Sequence, residues 1–142
     1  MTIAAILERK GRDVASIGAD APVREAVATL SERHIGAIVV IEGGEVAGIL
    51  SERDVIHCLR REGAAILDWP VAKVMTAPAI TIEPKVQALV ALSQMTKRRI
   101  RHLPVVENGR LTGIVSIGDL VAYRINRIEE EAEAMRTYIQ SA

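Results

Sequence analysis

The chain has 142 residues, enough for one compact domain or two small fused units with a buried core. Its 18 basic and 18 acidic residues leave no net charge, so composition does not indicate a nucleic-acid or anionic-membrane partner. Cys58 is the single cysteine, which excludes an intrachain disulfide, and residues 1–10 lack the apolar run of a signal peptide. We therefore predict a soluble, cytoplasmic protein without a membrane span.

The predicted elements form two similar series along the chain. Apolar residues recur at helical spacing after Pro22, and short apolar runs separated by glycine-containing turns predict strands. The first series is strand, helix, strand, strand and helix at 14–17, 23–33, 37–41, 46–50 and 51–61. The second series has the same order at 79–82, 86–98, 103–106, 111–115 and 117–128. Residues 71–76 predict a short helical lead-in that matches 3–10.

The second half of the chain repeats the first at a constant shift of 65 positions, without a gap. The clearest match pairs Gly48-Ile49-Leu50-Ser51-Glu52-Arg53-Asp54 with Gly113-Ile114-Val115-Ser116-Ile117-Gly118-Asp119. Two copies of one supersecondary unit usually pack about a pseudo-twofold axis, because each copy alone leaves an apolar face uncovered. We therefore expect an α+β fold of two βαββα units, with one Ser-x-x-Asp in each of two paired clefts. The predicted boundaries are 1–62 for the first unit, 63–70 for a linker, 71–128 for the second unit and 129–142 for a C-terminal helical extension.

The predicted extension begins with an acidic run, Glu129-Glu130-Glu131-Ala132-Glu133, into which the last helix can continue. Such a run is typical of a solvated helix face. A contact with another subunit or with a protein partner is the alternative.

Several motifs together resemble the cystathionine-β-synthase (CBS) domain. They are Ile100-Arg101-His102-Leu103-Pro104-Val105-Val106, Gly109 and the run from Gly113 to Leu120, with Val74-Met75-Thr76 and Ser51-Glu52-Arg53-Asp54 in support. Residues 2–128 are similar to a stand-alone tandem pair of such domains, a Bateman module. The resemblance implies two βαββα units packed sheet to sheet, usually as a homodimer, in which clefts between the units bind adenosine-containing ligands. AMP and NAD(H) are the ligands we expect first, ADP, ATP and S-adenosylmethionine are further candidates, and no cofactor is required.

The resemblance also implies roles for individual residues. Asp54 and Asp119 would accept hydrogen bonds from a ribose diol, although Ser-x-x-Asp is also the pattern of a helix capping box. The family's phosphate contacts would fall on Ser51, Ser116, Arg101, His102 and Arg53, the last of which could equally face solvent. The adenine slot would comprise Ala15, Ser16, Gly36, Ala37 and Ile114 around Asp119, and Ile80, Thr81, Ile100 and Ile49 around Asp54. Each of these slot residues could instead be an ordinary core position.

The two clefts are expected to be unequal. The first unit has Gly36-Ala37 where the second has Arg101-His102, so occupancy of both clefts is in doubt. Lys97 and Arg98 precede this basic pair and suit the C-terminus of a helix.

We predict a sensor rather than an enzyme. The three histidines lack metal-ligand spacing with one another or with Cys58, so no metal site is expected, and no nucleophile–base set is recognisable, so no residue is predicted to be catalytic. The chain would signal a bound adenosine ligand to an unknown protein in trans. The alternative is a ligand-free dimeric scaffold that acts through its acidic C-terminal helix. Single-stranded nucleic-acid binding through 97–102 is disfavoured, because stacking aromatics are scarce.

Overall fold

The computed structural model describes residues 1–141. Five helices and five strands in this range are arranged as two similar units. In chain order they are α1 (Ile3–Lys10), β1 (Ser16–Gly18), α2 (Val23–Glu32), β2 (Ala37–Glu42), β3 (Glu45–Ser51), α3 (Glu52–Glu62), α4 (Ala88–Arg98), β4 (His102–Glu107), β5 (Arg110–Ser116) and α5 (Ile117–Ser141). Among these residues, no helix combines the length and the apolar character needed to cross a membrane.

Each unit is built around an antiparallel hairpin. In the first unit, β2 pairs antiparallel with β3 and parallel with β1, which gives the order β1-β2-β3. In the second unit, β4 and β5 form the corresponding hairpin, and its pairings lie 65 positions after those of β2 and β3. The strands β3 and β5 lie against each other where the units meet. The predicted α+β fold of two related units is therefore confirmed.

The strand predicted at 79–82 is wrong. Only Ile82 bridges to β4, where it donates to Pro104 and accepts from Val106. In the first unit the equivalent ladder is longer, because Val39 donates to Ala15 and Ala19 donates to Ile41. The repeat places Pro104 and Pro84 at the positions of those two donors. Since proline has no backbone N–H, both bonds are lost and the strand shrinks to a single bridge.

Other boundaries differ less. The structure begins β1 at Ser16 rather than at 14, and α4 at Ala88 rather than at 86, after Gln87 as its N-cap. The lead-in predicted at 71–76 is a short 3₁₀ turn, Val71–Lys73, whereas its repeat counterpart α1 is a regular α-helix. The helix α5 continues through the acidic run to Ser141.

The two hydrophobic cores exchange their lead-in segments. Ile3 and Leu7 of α1 are fully buried in the core of the second unit, whereas Ile66 and Val71, which lie between the helix α3 and the second hairpin, are fully buried in the core of the first. The exchange carries each lead-in across the last strand of the opposite hairpin. As a result, α1 ends beside the start of α5, and residues 74–76 lie beside the start of α3.

Glycine at equivalent positions of β3 and β5 permits these crossings. A Cβ on Gly48 would lie 2.6 Å from the Thr76 carbonyl oxygen, and one on Gly113 would lie 2.8 Å from a Leu7 methyl carbon. Side chains at either position would push the lead-in away from the strand. Gly48 and Gly113 therefore allow each lead-in to pack closely against a strand of the opposite unit, where the lead-in ends beside the start of α3 or α5.

Candidate functional site

The two Ser-x-x-Asp motifs form capping boxes at the starts of α3 and α5. The Asp54 amide donates to Ser51 Oγ at 3.1 Å, and the Ser51 amide donates to Asp54 Oδ2 at 2.9 Å. The same reciprocal pair joins Ser116 and Asp119, at 3.1 and 2.8 Å. The alternative that these residues satisfy the free donors of a helix start is therefore correct for both motifs. The boxes also fix each carboxylate at the edge of a cleft.

The cleft beside Asp54 is a cavity of about 430 Å³ between the two units. Its volume falls in the range of small-molecule sites. One wall is apolar and comes from both units. The residues of that wall are Gly36, Ile49, Ile56, Pro78, Ala79, Ile80 and Ile100.

Polar groups also line this cavity. Asp54 Oδ1 accepts a hydrogen bond from the Thr76 hydroxyl at 3.0 Å and faces the cavity together with Ser51. The guanidinium-bearing side chains of Arg53, Arg99 and Arg101 also line it, and all three residues are exposed. Among residues 1–141, none of these three arginines forms an ion pair. The cavity therefore offers an apolar wall, a half-buried carboxylate and uncommitted guanidinium groups.

His102 lies at the boundary of the two units. A Cβ on Gly36 would lie 3.4 Å from His102 Cε1 and 3.5 Å from Glu52 Oε1, so the absence of a side chain at 36 leaves room for the ring. Burial lowers the pKa of His102, an effect that Lys10 and Arg101 reinforce and that the carboxylates of Asp119 and Glu52 oppose. Without a ligand, the imidazole is consequently mostly neutral at pH 7.

The cavity beside Asp119 is about 210 Å³ and is lined by Met1 and by residues of α1 and α5, Lys10 among them. Apart from Asp119, it contains no repeat counterpart of the residues that line the Asp54 cavity. Lys10 Nζ is 2.7 Å from Asp119 Oδ2 and donates to the Ile114 carbonyl at 2.8 Å. Partial burial opposes ionisation of Asp119, but hydrogen bonds from Lys10 and Ser116 and the charge of Lys10 outweigh it and lower the pKa of Asp119. The carboxylate is therefore ionised and already paired with a cation.

Thr76 and Lys10 perform equivalent functions in the two clefts. In the first, the Thr76 hydroxyl donates to Asp54 and the Thr76 amide donates to the Ile49 carbonyl at 2.8 Å. In the second, the single ammonium of Lys10 donates to the repeat-equivalent groups, the Asp119 carboxylate and the Ile114 carbonyl, although it uses Asp119 Oδ2, the oxygen that also accepts from the Ser116 amide. A neutral hydroxyl leaves the charge of Asp54 uncompensated, whereas the ammonium neutralises Asp119. This exchange makes the clefts chemically different.

The structure brings together most of the residues expected around Asp54. Of that set, Thr81 alone is not in the cavity lining. Gly36, which was expected beside Asp119, lies in the Asp54 cavity instead. There it is next to His102 and to Glu52 of α3. Neither cavity is lined by the rest of the set expected beside Asp119, namely Ala15, Ser16, Ala37, Ile114 and Ser116. Ala37 is a buried core position.

Several residues of the two clefts were not predicted from the sequence. Thr76 belongs to the Val-Met-Thr motif that supported the resemblance, and this motif was the available signal for it. In the repeat, its position falls one residue after that of Lys10. Arg99 was assigned no role from the sequence, but it caps α4 with a φ of 55° and lines the cavity. Lys10 gave no local signal, since its contact with Asp119 spans 109 positions.

Comparison with known proteins agrees with this architecture. The sequence profile of the CBS domain matches residues 7–61 and 71–126. The chain is 33% identical, over 98% of its length and 72% of the relative's, to the CBS domain-containing protein CBSX3, mitochondrial, of Arabidopsis thaliana.

Solved structures show the same fold. The CBS-domain containing protein ATU1752 from Agrobacterium tumefaciens is 42% identical, with a TM-score of 0.83 over 87% of this chain and 99% of that one. The CBS domain protein PAE2072 from Pyrobaculum aerophilum, whose structure was solved in complex with AMP, is 27% identical, with a TM-score of 0.75 over 84% of this chain and 89% of that one. Two profile matches and two packed βαββα-type units establish that the chain belongs to the CBS-domain family, as a tandem CBS pair.

Proposed function

We propose that the protein is a regulatory sensor that binds one adenosine phosphate, with AMP or NAD(H) the best candidates, in the Asp54 cleft. The single observation that carries the proposal is the composition of that cavity. An apolar wall, a carboxylate and unpaired guanidinium groups face one space of about 430 Å³. These are the groups that an adenine ring, a ribose and a phosphate require.

The apolar wall would hold the adenine. Ile49, Ile80 and Ile100 offer flat aliphatic contact from both units, and the small residues Gly36 and Ala79 leave space for a planar ring. A ligand on this wall would touch both units at once. Its binding free energy would therefore depend on how the units are arranged, which is the requirement for a conformational signal.

Asp54 would hold the ribose. Its carboxylate is fixed by Ser51 and Thr76, and a carboxylate oxygen has lone pairs for further hydrogen bonds. Hydrogen bonds from ribose hydroxyls to this charge are of the stronger, charge-assisted kind. The capping role and the ribose role are compatible, since they use different lone pairs.

The phosphate would be bound by arginine. Arg53, Arg99 and Arg101 at the cavity outnumber the acidic residues Glu52 and Asp54, and planar guanidinium groups match phosphate oxygens. This excess favours an anionic ligand such as AMP over the cationic sulfonium of S-adenosylmethionine. The AMP complex of the Pyrobaculum relative supports the same choice.

Occupancy would be limited to one ligand per chain. In the second cleft, the Lys10 ammonium already holds the carboxylate that a ribose would need, and the cavity there lies between α1 and α5 and lacks the counterparts of the apolar wall. A nucleotide would have to break this ion pair before it could bind. The difference between Lys10 and Thr76 thus converts a symmetric repeat into a one-site sensor that signals to a protein partner in trans.

Calorimetric titration with AMP, ADP, ATP, NAD, NADH and S-adenosylmethionine tests the proposal. We expect an endpoint of one ligand per chain, with the phosphate-bearing ligands preferred. Asp54→Asn should weaken binding about tenfold to hundredfold, the range for loss of a charged hydrogen bond. Asparagine keeps an acceptor for the Ser51 amide, so the helix cap is retained.

Asp119→Asn is the matched control, since it makes the same change at the repeat-equivalent position. We expect it to leave the dissociation constant within about twofold of the wild type. Equal weakening by both variants would contradict one-site binding. Absence of binding by all six ligands, in protein freed of co-purified nucleotide, would favour the scaffold alternative.

A further inference from the structure

The C-terminal part of α5 has no packing partner within the chain. Leu120 is buried and Tyr123 is half-buried, but every residue from 124 to 141 is exposed. Helices in proteins gain most of their stability from packing an apolar face rather than from intrinsic propensity. A helix that leaves the domain in this way therefore needs a surface against which to pack.

The exposed part of α5 carries a regular apolar stripe. Large hydrophobic side chains along it are between 43% and 66% exposed. Their spacings alternate strictly between four and three residues, which is the pattern of a coiled-coil seam. The stripe consists of Val121, Ile125, Ile128, Ala132, Met135 and Ile139.

Charges flank the stripe on both sides. With Ile125, Ala132 and Ile139 at heptad positions a, the flanking g positions include Arg124 and Glu131, and the e positions are Glu129 and Arg136. In a parallel pair of helices, each g residue faces the e residue five positions later on the other helix.

Parallel pairing makes both of these contacts attractive. Arg124 would face Glu129 of a second copy, and Glu131 would face Arg136 of a second copy. An antiparallel pair that aligns the whole stripe would instead place Glu129 beside Glu129 and Glu131 beside Glu131, which repel. The charge pattern therefore matches a second copy of this chain in one orientation.

We propose that α5 forms a parallel two-stranded coiled coil with α5 of a second copy, through the stripe from Val121 to Ile139. The surface is separate from the ligand cavity, so the proposal does not depend on nucleotide binding. The stripe lacks the leucine at d positions that typifies parallel dimers, since Val121, Ile128 and Met135 occupy them, so the pairing of the flanking charges carries the choice of a parallel pair. Ala132 at a central a position lets the helices approach closely. Two CBS pairs would then be joined side by side at the starts of their α5 helices.

The ion pairs now present on α5 do not oppose this arrangement. Glu131 accepts from Arg127 at 3.2 Å, and Glu133 accepts from Arg136 at 3.0 Å. Both pairs are at least half exposed, and such pairs contribute little to stability. Their side chains can therefore turn to a partner helix at small cost.

Sedimentation equilibrium of the full chain tests the seam. We expect a dimer at micromolar concentration, and Ile128→Lys should raise the dimer dissociation constant at least about hundredfold, since a buried lysine would lie at the centre of the seam. Thr137→Lys is the matched control, because residue 137 faces away from the seam, and it should leave the constant within about threefold. A monomeric wild type, or a dimer that Ile128→Lys leaves intact, would overturn the proposal.

Two further variants test the orientation. Glu131→Arg should weaken the dimer about two- to fivefold by placing like charges across the interface, and adding Arg136→Glu should restore it. In a Cys58→Ser background, Ile139→Cys should form an intermolecular disulfide under mild oxidation, because parallel helices bring the same residue together. In the antiparallel arrangement the two cysteines would lie at opposite ends, so absence of the cross-link in a dimeric protein would rule out parallel pairing.

Discussion

Replacing Lys10 with methionine removes the ammonium that pairs with Asp119 in the second cleft. Methionine keeps the apolar stem of the side chain, so the packing of α1 is largely retained. The lost contacts are those of Nζ with Asp119, at 2.7 Å, and with the Ile114 carbonyl, at 2.8 Å. Lys10→Met therefore tests the ion pair rather than the core.

The expected loss of stability follows from the exposure of the pair. The side chains of Lys10 and Asp119 are 29% and 24% exposed, which places them between surface pairs and buried ones. Charged hydrogen bonds contribute about 1.5–3 kcal/mol, and fully exposed pairs about 0–1 kcal/mol. We expect Lys10→Met to lower the free energy of unfolding by about 1–2 kcal/mol at pH 7.

The pH dependence has a definite sign. Because the fold lowers the pKa of Asp119, the pair stabilises the protein at pH values above the ordinary aspartate pKa of about 3.9. This stabilisation is lost as the pH falls through the folded-state pKa, where the carboxylate becomes protonated. The difference between wild type and Lys10→Met should thus be constant from neutral pH to about pH 5 and decrease in more acidic solution.

Urea unfolding followed by circular dichroism measures the effect. All samples need one protein concentration, since self-association would add to the apparent stability. Lys85→Met is the control, because Lys85 pairs with Glu83 at an exposed position and should contribute little. A double-mutant cycle with Asp119→Asn isolates the coupling.

Two results would refute this reasoning. A Lys10→Met stability within about 0.3 kcal/mol of the wild type at pH 7 would show that the pair contributes nothing. A loss of the same size at pH 7 and in acid would show that packing of the lysine stem, rather than charge, was removed.

Two other predictions concern the interface of the units. Burial lowers the pKa of His102, and a bound phosphate would raise it, so AMP binding should take up protons and tighten as the pH falls from about 7.5 to 6. Calorimetry in buffers of different ionisation enthalpy should detect this proton uptake. His102→Gln should abolish the part of the uptake that comes from the protein. Gly48→Ala places a Cβ 2.6 Å from the backbone oxygen of Thr76 and should cost about 2–3 kcal/mol in urea unfolding. Gly113→Ala meets the Leu7 side chain rather than backbone and should cost less, about 1–2 kcal/mol, so equal costs would contradict the distinction.

The sequence was sufficient for features that depend on neighbouring residues. The capping boxes join Ser51 to Asp54 and Ser116 to Asp119 across three positions, so their chemistry is contained in a few residues. The helices and hairpins follow from short-range periodicity, and the fold follows from the repeat and the family resemblance. The loss of the strand at 79–82 was also present in the sequence, in Pro84 and Pro104, but its effect depends on which strands pair.

The tertiary structure alone decided how the two clefts differ. Residues 10 and 119 are far apart in the chain, and no periodicity indicates that α1 crosses to the second unit and places an ammonium on Asp119. Gly36, which directly precedes β2, likewise lies in the Asp54 cavity rather than beside Asp119. Its place depends on the packing of this segment against His102 and α3. A repeated sequence specifies two similar local structures, whereas long-range packing determines which segment covers each of them, and that difference is what makes the two clefts unequal.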